Sequence, residues 1–485
     1  MRWTLREVAH ALGVAPPAGL DPLARLAGVS IDSRTVGAGE LFIAIHGPRH
    51  DGHDFVAAAL AAGALAGVVA RGRLAEYPPE TRGKLLAVDD TLAALQQLAR
   101  AVRRAWGRRL AGITGSVGKT TTKEILAALL AARFRVLKSE GNLNNEYGLP
   151  LTLLRLDSAH EAAVVELGMS HRGELARLAE IAEPDIGVVT RVAPVHLEFF
   201  SSVEEVALAK RELIERLAGA QAVAVLNADD ERVARFAEVA RGRVLTFGFA
   251  PAAEFRAEAI EDRGAEGSAF DFISPAGRAR LELPLVGRHN VANALAALAA
   301  ASVWGVGVAE ARRVFPQLVP AAMRGEVLRF EAGFALINDC YNSNPVALAT
   351  MVDLLAATPG YCRRILAAGE MLELGPASPQ FHREAGRRAA AGGIAWIFGV
   401  QGDAVELVRG AVEAGHPEAR ARFFASSDDA AKFLADFVAP GDLLLVKGSR
   451  GVKMERIVEA LEARSAPSGA AAGAGLVPGA RTEQG

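Results

Sequence analysis

The chain has 485 residues, and at roughly 100–200 residues per domain it is too long for one ordinary core and suggests about three. Its 54 lysine and arginine residues nearly balance its 56 aspartate and glutamate residues, which excludes a general affinity for nucleic acid or for an anionic membrane surface. The two cysteines, Cys340 and Cys362, exclude a disulfide scaffold and cysteine-based metal clusters, and they suit a reducing cytosol.

The stretch Met1-Arg2-Trp3-Thr4-Leu5-Arg6-Glu7 lacks the apolar core of a signal peptide. Of two uncharged runs, 55–70 is short and broken by Gly63 and Gly67. The other, 291–309, is mostly alanine, with Asn293, Ser302, Gly305 and Gly307 inside it. Alanine gives little transfer free energy, so a buried helix is favoured over a membrane span. A cytoplasmic protein is expected.

In chain order, residues 1–106 read as a small α/β unit: a helix over 7–12, a strand over 40–45, a helix over 55–62 and a strand over 67–70. Two polar patches, Ile31-Asp32-Ser33-Arg34 and the run from His46 to His53, read equally well as surface turns or as ligand loops. Residues 107–318 form a second unit. Apolar strands over 162–167, 186–190, 222–226 and 244–247 alternate with helical segments, which predicts a doubly wound, mainly parallel sheet. Alternating runs at 270–273 and 281–283 predict an added β-hairpin. Residues 319–463 form a third unit, with strands at 334–337, 364–368, 395–400 and 443–446, and 464–485 reads as a disordered Ala/Gly/Ser/Pro tail. The fold class is α/β in three domains, with a smaller N-terminal domain and a C-terminal Rossmann-like lobe.

The chemistry begins at Gly112-Ile113-Thr114-Gly115-Ser116-Val117-Gly118-Lys119-Thr120-Thr121-Thr122. Strand, glycine loop, Lys-Thr and helix make a phosphate site: glycines let backbone N–H groups close on the anion, and the helix N-terminus adds its positive dipole end. Lys119 can reach terminal phosphates and Thr120 can ligate Mg²⁺. The strict spacing G-x-x-x-x-G-K-[ST] fails by one place, because residue 113 is isoleucine.

Other features stay open on the residues alone. Glu166 is a single carboxylate at the end of an apolar strand, placed where a parallel sheet binds ligands and where a hard cation finds oxygen. His196 reads as a metal ligand or a turn histidine. Ser201 and Glu204 are spaced as a capping box, and Lys210, on the helix that follows, reads as solvated. The amides of Asn142, Asn144 and Asn145 bind a polar ligand or close a turn, and His289 or Asn290 caps the alanine-rich helix. Arg324 is a candidate phosphate partner and Asp339 a candidate for a ribose hydroxyl. Lys447-Gly448-Ser449-Arg450 follows the last strand as an anion site or a charged turn.

Together these motifs resemble the Mur ligases over nearly the whole chain up to about residue 463, and within them the branch that adds D-alanyl-D-alanine. The runs Tyr341-Asn342-Ser343-Asn344-Pro345 and Glu370-Met371-Leu372-Glu373-Leu374 point to that branch, and the Asp-Asn-Pro-Arg signature of the related third-residue ligase is absent. The resemblance implies an ATP- and Mg²⁺-dependent ligase that works through an acyl phosphate, with UDP-N-acetylmuramoyl-tripeptide and D-alanyl-D-alanine as substrates and a monomeric chain. It implies catalytic roles for Lys119, Glu166, His196, Lys210 and Arg324. ATP would contact Gly115, Ser116, Val117, Gly118, Lys119, Thr120, Thr121, Asn144, His289, Asn290, Asn293, Arg324 and Asp339.

By the same resemblance, Asp32, Ser33, Arg34, Gly47, Asp51 and His53 would hold the uridine nucleotide. Tyr341, Asn342, Asn344, Lys447, Ser449 and Arg450 would line the peptide region. Thr120, Glu166, His196 and a carbamylated Lys210 would ligate metal. One departure is local: Phe199-Phe200 stands where the family pattern has Gly-Phe.

Overall fold

Short apolar runs, rich in valine, isoleucine, leucine and alanine and punctuated by glycine and proline, build three sheets among the described residues. The structure is a computed structural model that describes residues 3–217, 219 and 221–468. Two compact units result: the residues up to 321 together with 373–375, and residues 322–372 with the described residues from 376 on. Among the described residues no helix is long and apolar enough to cross a membrane.

The first sheet is parallel throughout, in the order β1 (Val29–Ser30), β2 (Leu41–Ile43), β3 (Ala66–Ala70), β4 (Leu85–Val88). Its leading helix Leu5–Leu12 starts with a capping box in which Thr4 and Glu7 satisfy each other's backbone N–H groups. Strand β4 and the helix Thr91–Trp106 lie beyond the sequence expectation, and that helix decides how the unit is built. Ala94, Leu95 and Leu98 face the core of the first sheet, whereas Ala99, Val102 and Trp106 face the core of the next. Arg103, buried beside Trp106, donates to the carbonyls of Ala182 and Glu183 at 2.8 and 2.9 Å. A single helix therefore belongs to two cores.

The second sheet runs β13-β12-β11-β10-β9-β8-β5-β7-β6. Its strands are β5 (Arg109–Thr114), β6 (Val136–Lys138), β7 (Ala162–Glu166), β8 (Ile186–Val189), β9 (Val223–Asn227) and β10 (Arg243–Gly248), then β11 (Phe255–Asp262), β12 (Ser268–Ser274) and β13 (Gly277–Leu283). From β6 to β11 every neighbour is parallel; β12 and β13 add the expected antiparallel hairpin. The chain leaves β5 toward β6 on one side and continues from β8 on the other. The crevice beyond the C-terminal ends of β5 and β8 is thus the point where the winding reverses, the place where open α/β sheets bind ligands. Helices Lys119–Ala131 and Arg288–Ser302 share one face of this sheet. Alanine at 296, 297, 299, 300 and 301, all fully buried, allows their close approach.

The second unit carries a six-stranded sheet in the order β14-β15-β19-β16-β17-β18. These are β14 (Glu326–Arg329), β15 (Ala335–Asp339), β16 (Arg363–Gly369), β17 (Trp396–Val400), β18 (Ala421–Phe424) and β19 (Asp442–Lys447). Only the β14–β15 pair is antiparallel.

Four local expectations need correction. The helix Val203–Glu215 is capped by Ser202, which accepts from the Glu205 N–H, one residue later than the Ser201–Glu204 pair. Gly287, with φ 87°, occupies the N-cap of Arg288–Ser302, so neither His289 nor Asn290 caps it. That helix ends at Ser302, and a separate helix, Val308–Val314, follows the glycines. The expected tail is ordered at its start: Ala466 accepts from the Glu331 N–H at 3.1 Å and Ser468 donates to Arg329. Residues 469–485 lie outside the described residues.

Because Leu98 is fully buried on the shared helix, Leu98→Ala should lower the stability of the first unit by about 2–5 kcal/mol. Urea unfolding followed by circular dichroism would measure this.

Candidate active site

The loop after β5 is shaped by two glycines. Gly115 has φ 149°, and a Cβ there would lie 1.9 Å from Thr190 Oγ1. Gly118 has φ 86°, and its Cβ would lie 2.3 Å from Asn293 Oδ1. Any side chain would thus be both strained and blocked. The rim of β8 holds the loop in place: Thr190 Oγ1 is 2.5 Å from the Val117 carbonyl, Ser116 N–H donates to Arg191 O at 2.7 Å, and Ser116 Oγ accepts from Ala193 N–H at 2.9 Å. Asn227 Nδ2 in turn donates to Thr190 O, and Asp230 accepts from Val192 N–H. The helix Lys119–Ala131 has no side-chain cap, so its first N–H groups remain for an anion. Lys119 Nζ donates back to Gly115 O at 2.8 Å, and Thr121, in the same first turn, is half-buried.

Glu166 ends β7 and is buried. Its carboxylate accepts from Thr120 Oγ1 and from Asn144 Nδ2, each at 2.8 Å, and its N–H donates to Ser139 Oγ at 3.1 Å. A hydroxyl and a carboxylate beside a phosphate site are hard oxygen donors, and Mg²⁺ characteristically takes one or two carboxylates plus substrate phosphates rather than an all-protein cage. Among the described residues no group of three histidine, cysteine, aspartate or glutamate side chains could hold a metal alone.

Lys210 is not the solvated lysine its helix suggested: it is only 2% exposed. Burial, reinforced by the Lys119 cation, pushes its ammonium well below the ordinary lysine value. His196 sits in a turn with φ 56°, and its Nδ1 lies 2.5 Å from Glu373 Oε2. The hydrogen bond from His196 holds the Glu373 carboxyl below the usual range despite burial. On the helix Arg288–Ser302, Asn293 Nδ2 donates to Asn290 Oδ1 and Thr122 Oγ1 reaches Asn293 Oδ1 at 3.4 Å. That amide pair therefore meets the phosphate-loop helix, and half-buried His289 adjoins it in sequence.

Just after β1 the Arg34 side chain pairs with Asp32 through three hydrogen bonds, at 2.9, 3.3 and 2.7 Å, next to half-buried Ser33. His53 is buried, with Nδ1 2.6 Å from Asp51 and Nε2 accepting from Ala70 N–H at 2.9 Å. Both of its ring nitrogens are thus engaged within the fold. Arg73 reaches the other Asp51 oxygen at 2.7 Å, and Gly47 N–H closes the turn on His50 O. Burial opposes ionisation of Asp51, but the N–H and ring of His53 and the Arg73 guanidinium outweigh it and hold the carboxyl well below the usual range.

In the second unit, Lys447 at the end of β19 is buried and donates to Asp339 Oδ2 at 2.6 Å and to Asn342 O at 2.9 Å. The parallel register sets Asp339 opposite Lys447. Arg324 stacks on the Tyr341 ring at 4.2 Å. Asn344 caps the helix Pro345–Ala357. Ser449 holds Glu370 O and Leu372 N–H, while Arg450 pairs with Glu455.

Family models match three successive segments: a Mur ligase family, catalytic domain over residues 25–103, a Mur ligase middle domain over 113–301, and a Mur ligase, glutamate ligase domain over 323–450. The chain belongs to the Mur ligase family. Two curated relatives of this Mur ligase are each named UDP-N-acetylmuramoyl-tripeptide–D-alanyl-D-alanine ligase. That of Bacillus subtilis is 35% identical over 90% of this chain and 93% of its own; that of Escherichia coli is 36% identical with the same shares. Among solved structures, MurF from Acinetobacter baumannii superposes with a TM-score of 0.85 at 29% identity, covering 95% of this chain and 99% of the other. The MurF ligase from Thermotoga maritima in complex with ADP gives 0.78 at 30%, covering 90% and 97%.

Sequence reasoning on this Mur ligase missed the residues that build the site from behind: Thr190, Ser139, Asn227 and Asp230. Thr190 and Ser139 directly follow strands and Asn227 ends one on the same rim of the second sheet, a position that could have flagged them; Asp230 caps the short helix after β9.

Two outcomes follow. Gly118→Ala should abolish detectable ADP binding in equilibrium titration while the protein stays folded. The stabilisation contributed by Asp51, read as the difference from Asp51→Asn in urea unfolding, should be full at neutral pH. It should shrink as pH falls from about 5 toward 3, because a depressed carboxyl loses its contribution below the unfolded value near 4.

Proposed function

We propose that this Mur ligase joins D-alanyl-D-alanine to the terminal carboxylate of UDP-N-acetylmuramoyl-tripeptide, with cleavage of ATP to ADP and phosphate, in the cytoplasm and as a monomer. The observation that carries the reading is the Thr120–Glu166–Asn144 group at the N-terminus of the phosphate-loop helix. The relatives' shared name over nine tenths of both chains supports the substrates.

The substrate carboxylate oxygen attacks the γ-phosphorus, forming an acyl phosphate as the bond to the β-phosphate oxygen breaks and ADP leaves. The amine of D-alanyl-D-alanine then attacks the acyl carbon, expels phosphate and loses a proton. The protein's part is positioning and charge neutralisation. Loop N–H groups and Lys119 hold the phosphates. Thr120 and Glu166 would hold Mg²⁺, which when bound neutralises phosphate charge. Arg324 makes no ion pair among the described residues, and its stacking on Tyr341 leaves its donors for a phosphate. Asn290 and Asn293, with His289, would face the adenine and Asp339 the ribose.

Lys210 would serve as a carbamate, with His196 beside it as a further ligand. A carbamate forms on the neutral amine, and burial favours that form. Residues 1–106, with Asp32, Ser33, Arg34 and the 47–53 loop, would receive the uridine nucleotide. Residues 107–318 would hold ATP, and 319–463 would supply Arg324, Asp339 and the peptide-facing Tyr341, Asn342 and Asn344. Lys447 would act there through Asp339 and Asn342 rather than as a free cation.

Phosphate release should require both the UDP-muramoyl-tripeptide and D-alanyl-D-alanine. Equal release without either acceptor, or turnover only with a folate and glutamate, would overturn the assignment. Lys210→Ala should lose at least about 100-fold in kcat, the scale of a lost group that acts in the transition state, and regain part of it with millimolar formate or acetate. Full activity in that variant would refute the carbamate.

A further inference from the structure

Lys123 stands out among the buried charges that the ligase reaction does not use. It lies on the phosphate-loop helix, one turn beyond Thr120, and is 1% exposed, among the largest fully buried side chains of the chain. Its Nζ donates to the Ser139 carbonyl at 2.6 Å and lies 3.0 Å from Glu124 Oε1. Ser139 is itself buried. Its N–H continues the β6–β7 pairing onto Val164 O, and its hydroxyl accepts the Glu166 N–H. The loop that starts there delivers Asn144, whose carbonyl accepts the Gly168 N–H and whose amide reaches the Glu166 carboxylate.

We propose that Lys123 is a positioning residue for the metal-binding carboxylate. It ties the Ser139–Asn144 loop to the same helix that carries Thr120, so that the two side chains grip Glu166 in one fixed geometry. The inference rests on the reading of Thr120 and Glu166 as the Mg²⁺ site. Packing alone does not account for a lysine here, since a methionine fills the same space without desolvating a charge. What the ammonium adds is a directed hydrogen bond to one carbonyl, across the gap between helix and loop. Residues that orient metal ligands in this way typically change metal affinity by about 10–100-fold when removed.

The test measures ADP binding to the full chain by calorimetry, with and without Mg²⁺. Lys123→Met should weaken the Mg²⁺-dependent part about 10-fold and leave metal-free ADP binding nearly unchanged. Ser139→Ala keeps the carbonyl for Lys123 but removes the acceptor for the Glu166 N–H. It should weaken the same quantity, and it decides the matter if Lys123→Met does not fold. Because Lys123 acts through the loop, Lys123→Met combined with Asn144→Ala should be no worse than the worse single change; additive losses would refute the coupling. Glu166→Gln separates the two readings. If it leaves the Mg²⁺ effect intact, the metal assignment fails. If it removes the effect while Lys123→Met and Ser139→Ala bind Mg²⁺ and ADP as the unsubstituted chain does, the positioning role fails.

Discussion

The structure depends on one constraint: a carboxylate at the end of a fully buried strand must have its hydrogen bonds made. Every residue of β7 is buried, and Glu166 is its last. An ionised group in such a place is strongly disfavoured unless donors surround it. The donors are Thr120, on the phosphate-loop helix, and Asn144, in the segment after β6, while Ser139 Oγ from that segment accepts the Glu166 N–H. Satisfying Glu166 therefore fixes the relative positions of the phosphate loop, the asparagine loop and the sheet edge. The same arrangement gathers hard oxygen ligands where phosphates would arrive.

Close backbone approach is the second constraint, and it accounts for the irregular loop spacing. The strict phosphate-loop pattern wants a glycine at 113, but Ile113 is still part of the sheet, opposite Glu166 on one side and Val188 on the other. The strand runs to Thr114, and the loop begins one residue later than the pattern suggests. Gly115 then lies against Thr190 and Gly118 against Asn293. Thr190, just after β8, and Asn293, on the helix Arg288–Ser302, thus close on the loop from two sides.

Features that depend on local pattern were legible in the sequence. Most strands of the second and third sheets were evident from apolar runs, though β11, β14 and β18 were not, the loop from its glycines, and Glu166 from being the one carboxylate in an apolar strand. Features that depend on register or on a distant partner were not. Lys447 meets Asp339 because β19 lies beside β15, which no local spacing reveals. His53 has its ring taken up by the Ala70 N–H of a neighbouring strand, so a motif histidine that suggested ligand contact is tied into the fold. The helix Thr91–Trp106 was passed over although Ala94, Leu95, Leu98, Ala99, Val102 and Trp106 recur at helical spacing, so here a signal existed too. For Lys210 a signal existed: Val206 lies four residues before it and Leu213 three after, both fully buried, which sets the lysine on the inward face of its helix.

That inward placement has an electrostatic consequence. Burial, with the Lys119 cation acting on it, raises the energy of the protonated form of Lys210. Two states relieve this. Lys210 can lose its proton and sit as a neutral amine, or it can add carbon dioxide and become an anion. The second exchanges a repulsion for an attraction, since a carbamate beside Lys119 is an opposite charge in a low-dielectric pocket. The burial that makes a protonated lysine unfavourable at residue 210 therefore favours its neutral amine, the form on which a carbamate would be built.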